Sequence, residues 1–120
     1  MAPMNFEVVQ LDSGVLKVTV RGRLDMDTAL KLADPFTFRV ATVKAPVVVD
    51  MSSVDFIASI GMRLLLKNAK AVQGRGGKMV LFNSVPLVRD ALKVAGFETL
   101  IPMHDDFDAA CQDALAGMTA

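Results

Sequence analysis

PVVVDMSSVDFIASIGMRLLL, residues 46–66, decides the fold. Pro46 to Met51 is a continuous apolar run with Asp50 near its end, the pattern of a strand buried on both faces, which favours a parallel sheet. Ser52 to Ala58 reads as a loop carrying Val54, Phe56 and Ile57. From Ile60 to about Gln73 the period changes to that of a helix, with Gly61, Leu65, Ala69 and Val72 on one stripe. Gly74, Gly76 and Gly77 stop it, because glycine tolerates the left-handed conformation at a helix end. Strand, loop and helix in that order form the first half of a right-handed crossover.

The flanking sequence extends the same alternation. On the N-terminal side, Phe6 to Leu11 and Val15 to Arg21 are β-type runs separated by Asp12-Ser13-Gly14, which predicts a hairpin. The second run alternates, with Leu16, Val18 and Val20 on one side and Val15, Lys17, Thr19 and Arg21 on the other. Gly22 to Asp27 is a polar break. Ala29, Leu32, Ala33, Phe36, Val40 and Val43 then mark a helix capped by Asp25 or Asp27, and Pro35 is expected to kink or divide it.

On the C-terminal side, Lys78 to Asn83 is a second buried strand. Ser84 is the expected N-cap of a helix with Val88, Ala91, Leu92 and Ala95 inward, closed by Gly96. Thr99 to Ile101 reads as a short strand ended by Pro102. Asp105 or Asp106 caps a last helix with Phe107, Cys111, Ala114 and Met118 inward. The order β-β-α-β-α-β-α-β-α predicts one α/β domain over residues 1–120, with an ordered core at about 5–117. Its sheet is mainly parallel with an N-terminal antiparallel hairpin, and four helices cover it.

Composition narrows the function. The chain has 120 residues, 52% of them hydrophobic, with 13 basic and 13 acidic side chains. Such a chain buries a core without staples, and its balanced charge supplies no basic footprint for nucleic acid and no polybasic handle for a membrane. Cys111 is the single cysteine, which fits a reducing compartment. Met1 to Phe6 lacks a signal-peptide layout and no apolar run reaches the ~18 residues of a membrane span, so a cytoplasmic protein is expected.

In open α/β sheets the loops beyond the carboxyl ends of the strands carry the site. These are Gly22 to Thr28, Asp50 to Gly61 and Asn83 to Val85, and parallel strands place all three on one rim. Ser59 stands at the start of the second helix. The plain reading makes it an N-cap, worth ~1 kcal/mol. The functional reading makes it a phosphate acceptor, because backbone amides and the helix dipole favour a dianion there. Phe56 is expected as a core plug. For Ile57 and Ile60 both a core place and an exposed apolar rim remain open.

These residues carry a family resemblance. DMSSVDFIASIGMRLLL is similar to the signature of the STAS family, in which a strand ending Asp-Leu leads to Asp-Ser-Ser-Gly or Asp-Ser-Thr-Gly and a helix. RGRLDMDTA, residues 21–29, resembles that family's Gly-Glu-Leu-Asp segment, and GGKMVLFNSVPLVRDALKVAGF, residues 76–97, resembles its later strand and helix. The resemblance implies an anti-sigma factor antagonist that binds an anti-sigma factor, a serine kinase of the GHKL ATPase type. The kinase phosphorylates the antagonist to switch it off, and a phosphatase resets it. It assigns the phosphorylated serine to Ser59 and a neighbouring role to Asp25. The expected partner-binding set is Asp25, Ile57, Ala58, Ser59, Ile60, Gly61 and Arg63. Four positions depart from the family pattern: Ala58 replaces the Asp before the serine, Ile60 the second hydroxyl residue, Arg63 a glycine, and Arg23 the Glu. Arg63 or Arg23 is the expected cation for a phosphate on Ser59.

The alternative is a STAS regulatory subunit of a transporter or other complex, binding its partner without phosphorylation. An enzyme is not expected, since no acid, base and nucleophile converge in the pattern. Nor is a cofactor or metal. His104 beside Asp105 and Asp106 reads as a solvated turn with an N-cap. Gly74-Arg75-Gly76-Gly77 follows a helix and precedes a strand, so it reads as a C-cap and turn in place of a phosphate loop. Met51, Met62 and Met79 read as core packing. The charge balance and apolar rim allow a monomer or a weak dimer.

Overall fold

The computed structural model describes residues 6–42 and 44–118. Val43, expected on the inward stripe of the first helix, and Met1 to Asn5 lie outside the described residues. The elements are β1 (Phe6–Gln10), β2 (Leu16–Leu24), α1 (Met26–Val40), β3 (Pro46–Ile57), α2 (Ser59–Gly74), β4 (Lys78–Phe82), α3 (Pro86–Val94), a 3-10 turn (Phe97–Thr99), β5 (Met103–His104) and α4 (Phe107–Ala116). The sheet order is β1-β2-β3-β4-β5. β1 and β2 pair antiparallel as a hairpin, and every later neighbour is parallel.

The strand patterns explain the layers. Val47 and Val49 of β3 join Met79 and Leu81 of β4 in the core beneath α1, α2 and α3. Val48, Val80 and Phe82 turn the other way and meet Ala110 and Ala114 of α4. A central strand with helices on both faces needs apolar residues at successive positions, as Pro46 to Val49 supply. Leu16, Val18 and Val20 of β2 face the larger core, as their alternation predicts.

β3 corrects the expected loop at Ser52 to Ala58, because the strand continues to Ile57. β2 likewise runs through Gly22 to Leu24, pairing Arg21 with Ser53 and Leu24 with Ile57. Irregularities between Thr19 and Arg21 and between Gly22 and Arg23 break the register. Met51, Val54 and Ile57 are therefore buried at intervals of three instead of two, and the lost period of two is what reads as a loop. β4 pairs with β3 only as far as Asp50. Asn83 to Val85 therefore stands back from the projecting end of β2 and β3, so two of the three expected rim segments meet at the tip and the third does not.

α1 runs unbroken through Pro35, contrary to the expected kink or division. Pro35 and Lys31 lie on the exposed side, where water can satisfy the carbonyl that loses its amide partner. Asp25 is the N-cap of α1 and Asp106 that of α4. Ser84 is not a cap: Val85 takes that position with Pro86 starting α3, and the Ser84 hydroxyl is buried without a hydrogen-bond partner among the described residues. The last strand lies at Met103–His104, after Pro102, and not at Thr99 to Ile101. Gly96, at φ 79°, turns the chain into the 3-10 segment, and Pro102 and His104 then supply carbonyls to the amides of Leu81 and Asn83. Ala95 is exposed, contrary to its expected inward place, whereas Phe107 and Cys111 are half-buried and pack against the core around Ala110 and Ala114, as expected.

Arg75 is the C-cap residue of α2, with Gly76 following at φ 90°. Gly77 passes so close to Ala45 that a Cβ would stand 2.4 Å from its carbonyl oxygen. The glycine cluster is thus a turn, as expected. Met51 and Met79 are buried and Met62 packs against the same core.

Candidate functional site

The site is the tip where β2 and β3 end and α1 and α2 begin. Leu24 and Ile57 are paired last residues of their strands, and both are buried. The Ala58 amide donates to the Leu24 carbonyl at 2.9 Å, which fixes the entry to α2 against the end of β2. Gly61 then allows the first turn of α2 to settle there. A Cβ on it would stand 2.9 Å from the Leu24 carbonyl oxygen and 3.1 Å from Ile57 Cγ1. Glycine is required here by close approach and not by a left-handed backbone.

Ser59 is not the N-cap. Ala58 holds that position in an extended conformation, with no side-chain oxygen to offer. Its carbonyl accepts the first helical hydrogen bond, from the Met62 amide at 3.1 Å. Ser59 is therefore the first residue of the helix. It is exposed, and its hydroxyl makes no hydrogen bond to any described residue. The first turn of α2 also contains no acidic residue. α1 differs: the Asp25 carboxylate accepts from the Thr28 amide at 3.0 Å, and Asp27 sits in its first turn. α2 thus presents uncapped amides and the positive end of a 16-residue helix beside an unencumbered hydroxyl.

The remaining expected residues divide. Ile57 is core, Ala58 and Ile60 are half-buried, Gly61 is buried and Arg63 is exposed. Asp25 is half-buried, and its capping hydrogen bond from Thr28, assisted by Arg23, holds its carboxyl below the usual carboxylate range. Arg23 is engaged on the outside of the strands: its guanidinium stands 4.3 Å from the centre of the Phe56 ring, and its Nε lies 3.7 Å from Asp25 Oδ2. That stacking leaves Phe56 half-buried and not a core plug. Arg63 has no ion partner among the described residues and lies one turn beyond Ser59 on the same helix, where residues four apart are neighbours.

A shallow groove of about 200 Å³ runs from the tip between α1 and α2, lined by Ala29, Leu30, Ala33, Asp34, Thr37, Ile60, Arg63, Leu64 and Lys67. The α1 wall was not among the expected site residues. Its signal was present: Met26 and Leu30 are apolar yet fall off the inward stripe of α1, and they are 66% and 63% exposed. Residues four apart are neighbours on a helix surface, and Leu30 also lines the groove, so the pair adjoins its apolar lining.

His104 lies in β5 and not in a solvated turn, and its neighbours in sequence have separate tasks. His104 Nε2 is 2.7 Å from Asp113 Oδ2, while Lys78 donates to the other Asp113 oxygen. Asp105 pairs with Arg89, and Asp106 caps α4. Among the described residues no three His, Cys, Asp or Glu side chains cluster as a metal site would need. Among those residues, too, no helix is long and apolar enough to cross a membrane.

Known proteins share this chain's sequence pattern and fold. The candidate anti-sigma factor antagonist BtrV of Bordetella bronchiseptica is 29% identical over 97 residues, covering 81% of this chain and 84% of that protein. The anti-sigma-F factor antagonist RsfB of Mycobacterium tuberculosis is 25% identical over 118 residues, 98% of this chain and 93% of its own. The crystal structure of an anti-sigma factor antagonist from Mycobacterium paratuberculosis superposes with a TM-score of 0.80 at 26% identity, covering 92% of each chain. The STAS domain model matches residues 7–110, so the chain belongs to the STAS domain family.

Proposed function

We propose that this STAS domain is an anti-sigma factor antagonist that holds its partner at the α1–α2 tip and lets go when Ser59 is phosphorylated. The activity is binding and not catalysis, in the cytoplasm, with a GHKL-type serine kinase as anti-sigma factor and a phosphatase to reset the switch. The observation that carries the reading is the state of Ser59: an exposed, unbonded hydroxyl at the uncapped start of a long helix. A phosphate there meets helix amides and the dipole, so the fold accepts it. A partner seated on the same tip meets a new dianion that it was not shaped to solvate. Arg63 is the cation placed to pair with the phosphate, since Arg23 is held by Phe56 and Asp25. Asp25, Ile60 and the exposed part of Ala58 complete the contact surface, while Ile57 and Gly61 support it from beneath.

The test is a paired pull-down from the native lysate with wild-type and Ser59→Asp baits, read by mass spectrometry for partners and for phosphate on Ser59. Capture of a serine-kinase-like ATPase by wild type and its loss from Ser59→Asp is the expected result. Capture of one transporter or other complex by both baits, with no phosphate on Ser59, would replace this reading with a phosphorylation-independent regulatory subunit.

A further inference from the structure

We infer that the groove between α1 and α2 receives an apolar helix of the partner whose flank carries acidic residues, with Arg63 as the anchoring cation. The inference rests on the tip being the partner-binding site and adds the chemistry of what sits there. α1 and α2 both leave the same end of the parallel strands β2 and β3, so they run side by side in one direction. Leu30 and Ala33 on one wall and Ile60 and Leu64 on the other give the groove an apolar lining. Met26 and Leu30, four residues apart, extend that surface over the outside of α1. A third helix packs its ridge into such a groove and presents anchors at intervals of three and four residues.

Charge selects the flank of that helix. The α2 wall carries Arg63 and Lys67, and Asp34 on α1 is the one acid among the lining residues. Arg63 follows Ser59 by four residues on α2, pairs with no acid among the described residues, and together with Lys67 outnumbers Asp34 in the lining. An exposed guanidinium without an ion partner, at the edge of an apolar groove, is complemented by a carboxylate on the incoming helix. A basic helix would bring like charges together there.

The probe is a synthetic amphipathic peptide with leucines on one face and glutamates along the flank, compared with its lysine counterpart. Each is titrated into the full chain labelled with nitrogen-15, and the amide shifts are followed. The glutamate peptide is expected to shift Leu30, Ala33, Ile60 and Leu64 and to bind about tenfold tighter than the lysine peptide. The double variant Arg63→Glu, Lys67→Glu should invert that preference. Equal affinities, shifts centred elsewhere, or no shift with either peptide at millimolar concentration overturn the proposal. Concentration-dependent changes at these amides without peptide would assign the groove to a second copy of the chain and overturn it as well. Repeating the titration on Ser59→Asp separates the two readings. Unchanged affinity for the glutamate peptide would sink the phosphorylation switch while supporting the groove and its acidic occupant.

Discussion

Gly61→Ala sets two effects of opposite sign against each other. On helix propensity alone the substitution gains up to ~1 kcal/mol, because alanine loses less backbone entropy than glycine in a helix. The packing at the tip works against it. The new Cβ would stand 2.9 Å from the Leu24 carbonyl oxygen, 3.0 Å from Leu24 Cβ and 3.1 Å from Ile57 Cγ1. The nearest atom is backbone, and it already accepts the Ala58 amide, so no side chain can swing away to make room. Overpacking of this kind costs ~1–3 kcal/mol. With a mid-range overpacking cost of ~2 kcal/mol against a gain of ~1, the balance is a loss of about 1 kcal/mol, or a fall in Tm of about 3–5 °C for a domain of 120 residues. Gly74→Ala is the matched control: it lies at the other end of α2 with nothing within 4 Å of a new Cβ. It should show the propensity gain without the penalty. Urea and thermal unfolding are best followed by far-ultraviolet circular dichroism, since the chain has no tryptophan or tyrosine. A higher Tm for Gly61→Ala, equal to the gain in Gly74→Ala, would refute the argument that close approach to Leu24 demands glycine at this position.

Three further outcomes follow from the same geometry. Ala58→Asn supplies the missing N-cap oxygen to α2 and should raise the urea midpoint by the equivalent of ~0.5–2 kcal/mol; no gain would mean that the first-turn amides are already satisfied. Burial pushes the Asp113 carboxyl up, but hydrogen bonds and charge from Lys78 and His104 more than reverse this, so it ends below the usual carboxylate range. Asp25 is also depressed, by its capping bond. Both contributions are therefore full above about pH 4 and are lost as the pH falls through and below that value. The urea midpoint should drop in acid, less steeply in Asp113→Asn, and identical slopes for the two proteins would contradict the assignment. Leu65→Ala, at a side chain 1% exposed, should cost about 2–4 kcal/mol in urea unfolding, with Val48→Ala costing less; a loss under about 1 kcal/mol for Leu65→Ala would mean that the site collapses around the cavity.

The sequence by itself determined the layers of the fold. Apolar runs at Pro46 to Val49 and Met79 to Phe82 and helical stripes such as Leu65 and Val72 are local patterns, and each has one low-energy way of burying its face. It also located the tip, because a strand followed by a helix puts its connecting residues at one end of the sheet. Three matters were decided only by tertiary contacts. Ser52 to Ile57 became strand because β2 extends beside it with an irregular register, which a period of two cannot reveal. Pro35 stayed within α1 because its missing hydrogen bond falls on the exposed side of a packed helix. Ser59 lost the capping role to Ala58 because the Leu24 carbonyl anchors the Ala58 amide and starts the helix one residue earlier than an oxygen-bearing cap would. Cap preference is a contribution of about 1 kcal/mol, and the packing of Gly61 and Ile57 against Leu24 outweighs it. That displacement by one residue is what leaves the Ser59 hydroxyl free.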